Sequence, residues 1–167
     1  MDPHPMIIDF TDVDESQRWI AINDGVMGGI SQSGLQLSST ATGIFSGRLC
    51  LENNGGFASI RRPSDDYPLK DCSGIMLNVK GDGRTYQFRL KTDDQYDGIA
   101  YRTLFTTDAQ NWQTLALPFN CFCASFRGRL IPNAPVLDPE KIRQIGFLLA
   151  DKQQGDFCLE IASIKSF

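Results

Sequence analysis

From Arg84 to Lys91 the chain reads Arg-Thr-Tyr-Gln-Phe-Arg-Leu-Lys, with an apolar residue at every second position. Side chains two apart on an extended chain share a face, so Tyr86, Phe88 and Leu90 form one surface and Thr85, Gln87, Arg89 and Lys91 the other. A helix would need a period of 3.6 residues, and this segment has a period of two. The same rhythm returns near the end of the chain, where Phe157, Leu159 and Ile161 alternate with Cys158 and Glu160. The segment 145–150 is apolar throughout, which predicts a central strand covered on both sides.

Gly, Asn, Asp and Pro punctuate the chain roughly every ten residues, the spacing of a sandwich or barrel built from short strands. Strands are expected at 6–10, 19–23, 34–38, 43–51, 57–61, 74–80, 85–92, 101–106, 112–117, 144–150 and 157–164. Asn53-Asn54-Gly55-Gly56 reads as a hairpin turn and Gly81-Asp82-Gly83 as a second turn. One short helix is expected, with Asp138 as its cap, Pro139 at its first position, and Glu140 and Lys141 following. No repeat or linker divides the chain, so residues 1–167 are read as a single all-β domain.

The net charge of −4 argues against a nucleic-acid partner or an anionic membrane surface, both of which need a basic field. No apolar run approaches the roughly 20 residues of a membrane helix, so no transmembrane segment is expected. Residues 1–10 lack the basic start of a secretory signal, and a cytoplasmic location is expected. The five cysteines, Cys50, Cys72, Cys121, Cys123 and Cys158, show no zinc spacing and are read as reduced, mostly buried packing residues.

Ordered motifs span nearly the whole chain. They are Trp19-Ile20-Ala21-Ile22-Asn23-Asp24-Gly25-Val26-Met27-Gly28-Gly29-Ile30-Ser31, then Phe45-Ser46-Gly47 with residues 52–61, then Gly81-Asp82-Gly83-Arg84-Thr85-Tyr86. Trp112, Pro118-Phe119, Phe126-Arg127-Gly128-Arg129, Ile145-Gly146-Phe147 and Gly155-Asp156-Phe157 complete the series. This set resembles the complex I intermediate-associated protein 30 family. The resemblance implies a galactose-binding-like jelly-roll β-sandwich, akin to carbohydrate-binding modules, and a role in assembling respiratory complex I. With no mitochondrial presequence at its start, the chain is expected to be a free-standing member of bacterial type.

Three functions compete. The first is a non-catalytic binding module, an assembly factor or chaperone-like protein with a protein partner in a multi-subunit complex. The second is a carbohydrate or small-ligand module, and the third a glycan-acting hydrolase. The binding readings rest on Asn23, Asp24, Met27 and Gly28 as a ligand-facing loop. They rest also on Arg61, Gln87, Arg89 and Arg127, with Tyr101 and Trp112 joining Arg89 and Gln87 on one sheet face. Arginine forks beside aromatic platforms suit sugars, carboxylates or an acidic loop. The same face also reads as solvated strand surface, with arginine stems covering aromatics. The glycine-rich loop lacks the spacing of a nucleotide fingerprint.

Catalytic residues are not expected. The single histidine, His4, lies near the chain start, which leaves a Ser-His-Asp or Cys-His arrangement without a base. Asp24, Glu52, Asp82 and Asp151 are the carboxylates a hydrolase could use, and their spacing selects no pair. No cofactor is expected, apart from a structural calcium ion for which Asp9, Asp12 and Glu160 are oxygen candidates.

Overall fold

The computed structural model describes residues 4–27, 29–53, 55–63, 65–95 and 98–167. Two antiparallel sheets face each other. One has the order β3 (Gln32–Leu37), β4 (Gly43–Leu49), β13 (Gly155–Ser166), β6 (Gly74–Lys80), β9 (Gln113–Pro118), with β1 (Met6–Ile8) also pairing β13. We call it sheet A. Sheet B has the order β11 (Arg129–Leu130), β10 (Cys123–Phe126), β8 (Ala100–Thr106), β7 (Thr85–Lys91), β12 (Gln144–Leu149), β5 (Ala58–Arg62), β2 (Ile20–Ala21). This is the all-β jelly-roll sandwich expected from the alternation.

The core lies between the sheets and takes the apolar set of each strand. Tyr86, Phe88 and Leu90 of β7 are fully buried, as are Ile145, Phe147 and Leu149 of β12 and Leu159 and Ile161 of β13. Phe88 meets Phe147 edge to face at 5.2 Å, and Phe45 meets Phe157 at 5.0 Å. Such contacts add to the burial of each ring. The register of β13 shifts between Ile161 and Ser163, which lets Ile164 return to the core three residues after Ile161.

The 6-residue strand β12 is buried at every position, as its unbroken apolar run implied. The expected short helix is a 3-10 turn, Pro139–Lys141, with Asp138 accepting from the Glu140 amide. Three further 3-10 turns occur among the described residues, at Glu15–Arg18, Asp24–Met27 and Phe119–Cys121.

Three expectations need correction. The turn at 53–56 does not close a hairpin, because β4 belongs to sheet A and β5 to sheet B, so this turn carries the chain from one sheet to the other. Strands β10 and β11 were not foreseen, since they are short and lack a clear apolar rhythm. All five cysteines are free as expected, but only Cys50 is buried, while Cys121, Cys123 and Cys158 are exposed.

Candidate functional site

Antiparallel partners point to the same side of a sheet, so the pairing register locates every outward side chain of sheet B. Arg89 of β7 faces Arg102 of β8 on one side and Gly146 of β12 on the other. Gly146 in turn faces Arg61 of β5. One transverse row therefore reads Cys123, Arg102, Arg89, Gly146, Arg61, Ile20. The neighbouring row reads Leu104, Gln87, Leu148, Ser59. Outward strand positions on this sheet include no Asp, no Glu and no aromatic residue among those described.

Gly146 leaves a gap between two guanidinium arms. A Cβ there would lie 2.8 Å from the Ile60 carbonyl oxygen, so the close approach of β12 and β5 requires glycine. Around it lies a shallow depression of about 20 Å³, lined by Arg61, Arg89, Gln144, Leu148 and Ser59 among others. Gln87, Arg89 and Arg102 make no side-chain hydrogen bond or ion pair with the described residues; Gln87 is buried, and Arg89 and Arg102 are half-buried. Burial, and then the charges of Arg61 and Arg102, pull the Arg89 pKa down to about 10. Arg89 is thus a cation at neutral pH, held partly out of water beside like charges.

The structure moves two expected residues away from this face. Tyr101 pairs with Leu90, so it points into the core, and its hydroxyl donates to the Pro135 carbonyl oxygen at 2.8 Å. It also borders a wider cleft of about 430 Å³, together with Val136 and Lys141, which does not include Arg89. Trp112 is exposed just before β9, at the edge of sheet A. Arg127 also lies off the row. It sits at the tip of the β10–β11 hairpin with φ 49°, and its guanidinium stacks 5.2 Å from the Phe126 ring centre.

The loop expected to face a ligand is spent on the fold. Asp24 is fully buried. It accepts from the Ser31 amide at 2.8 Å, the Ser31 hydroxyl, the Gly56 amide at 2.8 Å and the Phe57 amide at 3.3 Å. Burial alone would raise its pKa, but these bonds outweigh burial and hold it below the ordinary carboxylate value. Asn23 accepts from the Ser33 hydroxyl at 2.6 Å and the Ser59 amide at 3.1 Å. A Cβ on Gly55 would come within 2.7 Å of the Asp24 carboxylate, so the sheet-to-sheet turn closes around that side chain. Gly28 and the Met27 side chain lie outside the described residues.

Of the remaining carboxylate candidates, all but Glu52 are similarly occupied. Arg84 forms a two-point ion pair with Asp151, at 2.8 and 2.7 Å. Asp82 accepts from the Tyr86 hydroxyl and the Cys158 amide. Asp9 accepts from Thr11, Asp12 from Arg18 and the Asp14 amide, and Glu160 from the Thr42 hydroxyl. No cluster of three or more His, Cys, Asp or Glu residues forms a metal-holding group among the described residues. Glu52 is exposed on the turn that follows β4.

The family model for Complex I intermediate-associated protein 30 matches residues 8–161. The chain belongs to this family. It is 27% identical over a 178-residue alignment to Complex I intermediate-associated protein 30, mitochondrial, of Drosophila melanogaster, covering 93% of this chain and 60% of that protein. The mouse protein of the same name is 28% identical, over 100% of this chain and 57% of its own length. An uncharacterised Schizosaccharomyces pombe protein is 31% identical, over 90% of this chain and 78% of its own. The chain thus spans just under two thirds of the Drosophila and mouse relatives.

Among solved structures, the family 11 carbohydrate-binding module of a Clostridium thermocellum cellulosomal cellulase superposes with TM-score 0.72 at 18% identity, covering 99% of this chain and 95% of that one. The same module in complex with a mixed-linked tetrasaccharide gives 0.71 at 20% identity, over 98% and 95%. At such identity the likeness shows the fold alone. No helix of the described residues is long and apolar enough to cross a membrane.

Arg102 was the residue that the sequence reading missed. The signal was present in the parity of 100–106, where Tyr101, Thr103 and Phe105 share one face and Arg102, Leu104 and Thr106 the other.

Proposed function

We propose that this chain is a non-catalytic binding module, an assembly factor or chaperone-like protein that holds a protein subunit during construction of a respiratory or other multi-subunit complex. The observation that carries the reading is the outward face of sheet B, where Arg89 and Arg102 form no ion pair with any of the described residues. The relatives support it, since their names tie them to an intermediate of complex I. Among the described residues no aromatic occupies an outward strand position of sheet B, which weighs against a sugar platform built on ring stacking. Asp82 and Asp151 are both held around structural arginine and tyrosine groups, which weighs against a hydrolase. Five free cysteines, three of them exposed, suit a reducing compartment such as the cytoplasm.

The test is cross-linking and affinity capture from the native host, with soluble and membrane extracts quantified separately. A subunit of one multi-subunit complex should be recovered with the wild-type chain and depleted with Arg102→Glu. Recovery of no specific partner from either extract would overturn the reading.

A further inference from the structure

We propose that Arg89, flanked by Arg102 and Arg61, is the anchor for a carboxylate side chain of a protein partner, seated over Gly146. The inference rests on the reading of the chain as a binding module, and adds the chemistry of what it grips.

An arginine fork matches a carboxylate with two parallel hydrogen bonds, and such pairs strengthen when withdrawn from water. Arg89 meets those conditions. Its strand neighbours are Arg102 and a glycine, no acidic residue occupies an outward strand position of its sheet among the described residues, and no described group hydrogen-bonds to it. A cation left partly desolvated beside like charge is unfavourable in the free chain. A carboxylate placed over Gly146 would relieve that cost by pairing with Arg89, between that strand and the one carrying Arg61.

Size and surroundings decide the class of occupant. The shallow depression, about 20 Å³, matches the tip of one side chain. Beside the arginines lies the exposed Leu104, which supplies the apolar contact of a protein interface. A membrane or nucleic-acid surface would require a broad basic field, whereas this chain carries a net charge of −4. The positive charge on sheet B is local, which suits one acidic segment.

The experiment uses the whole chain with a fluorescein-labelled peptide of glutamates interspersed with leucines, followed by anisotropy at low salt. Its lysine-for-glutamate counterpart, inorganic phosphate and phosphatidylserine vesicles serve as the other arms. The glutamate peptide should bind, and Arg89→Gln and Arg89→Met should each weaken it by about tenfold or more. Arg48→Gln, on the exposed pair of Arg48 with Asp156 on sheet A, should leave binding unchanged. Thermal melts of each variant confirm that loss of binding is not loss of fold.

Absence of peptide binding, or binding indifferent to Arg89, overturns the proposal. So does binding confined to phosphate or vesicles, and so does Arg89-dependent self-association in sedimentation, which would make a second copy the occupant. If the Arg89 variants still capture the native partner, the carboxylate anchor falls while the assembly reading stands. If the wild-type chain captures no partner, the assembly reading falls.

Discussion

Two arginines of sheet B, Arg62 and Arg89, meet opposite fates. Arg62 points inward from β5. It donates to Glu15 through Nε at 2.8 Å and Nη2 at 3.1 Å, to Asp65 at 3.0 Å and to the Tyr67 hydroxyl at 3.0 Å. Glu15 also accepts from the Trp19 indole at 2.9 Å and from Arg18 at 3.0 Å. Burial disfavours the Arg62 charge, but the bonds to Glu15, Asp65 and Tyr67 outweigh it and raise its pKa. Arg89 points outward from β7, has no such partners among the described residues, and its pKa is lowered. The same side chain type is fully hydrogen-bonded in one place and half-buried without a described partner in the other. Burial alone does not separate the two roles; the completeness of the hydrogen bonding does.

This contrast can be tested at its strong end first. Glu15→Gln removes the charge that Arg62 and Arg18 share, and truncating one partner of a buried pair costs about 3–5 kcal/mol. Urea denaturation should show a loss of that size. A loss below about 1 kcal/mol would mean that the Arg62 network is not a strut.

Asp24→Asn should be next, at about 1–3 kcal/mol, because an amide cannot accept all the bonds that converge on the carboxylate. Its pH dependence has a defined sign. Asp24 has a lowered folded-state pKa, so its contribution is present above the ordinary carboxylate value near 3.8 and is lost as pH falls through the lower, folded value. Wild-type stability should therefore fall with acid more steeply than that of Asp24→Asn, as measured by denaturation between neutral and acidic pH.

The smallest effect belongs to Arg102→Gln. Outward-facing and unbonded, it should shift stability by no more than about 0.5 kcal/mol while weakening the glutamate peptide. A large destabilisation would place Arg102 with Arg62 instead.

Much of this division was readable in the sequence. The alternation of 85–91 separated Gln87 and Arg89 from the core-facing Tyr86, Phe88 and Leu90, and the boundaries expected for 74–80 match β6. What alternation could not supply was which strands are neighbours and how they register. That is why Tyr101 was grouped with Arg89, although its pairing with Leu90 turns it inward, and why Trp112 was drawn from the other sheet. The Asn53–Gly56 turn shows a second limit. Turn chemistry signals a reversal of direction, but the carboxylate of Asp24, some 30 residues earlier, fixes where the chain goes next.

The most direct measurement is the stability of Arg89→Met, determined by thermal and urea denaturation beside the wild-type chain. An arginine kept for a partner should be a burden to the free fold, so the variant is expected to be more stable by about 1–3 kcal/mol. A variant less stable than wild type would contradict this, and would make Arg89 a second strut like Arg62.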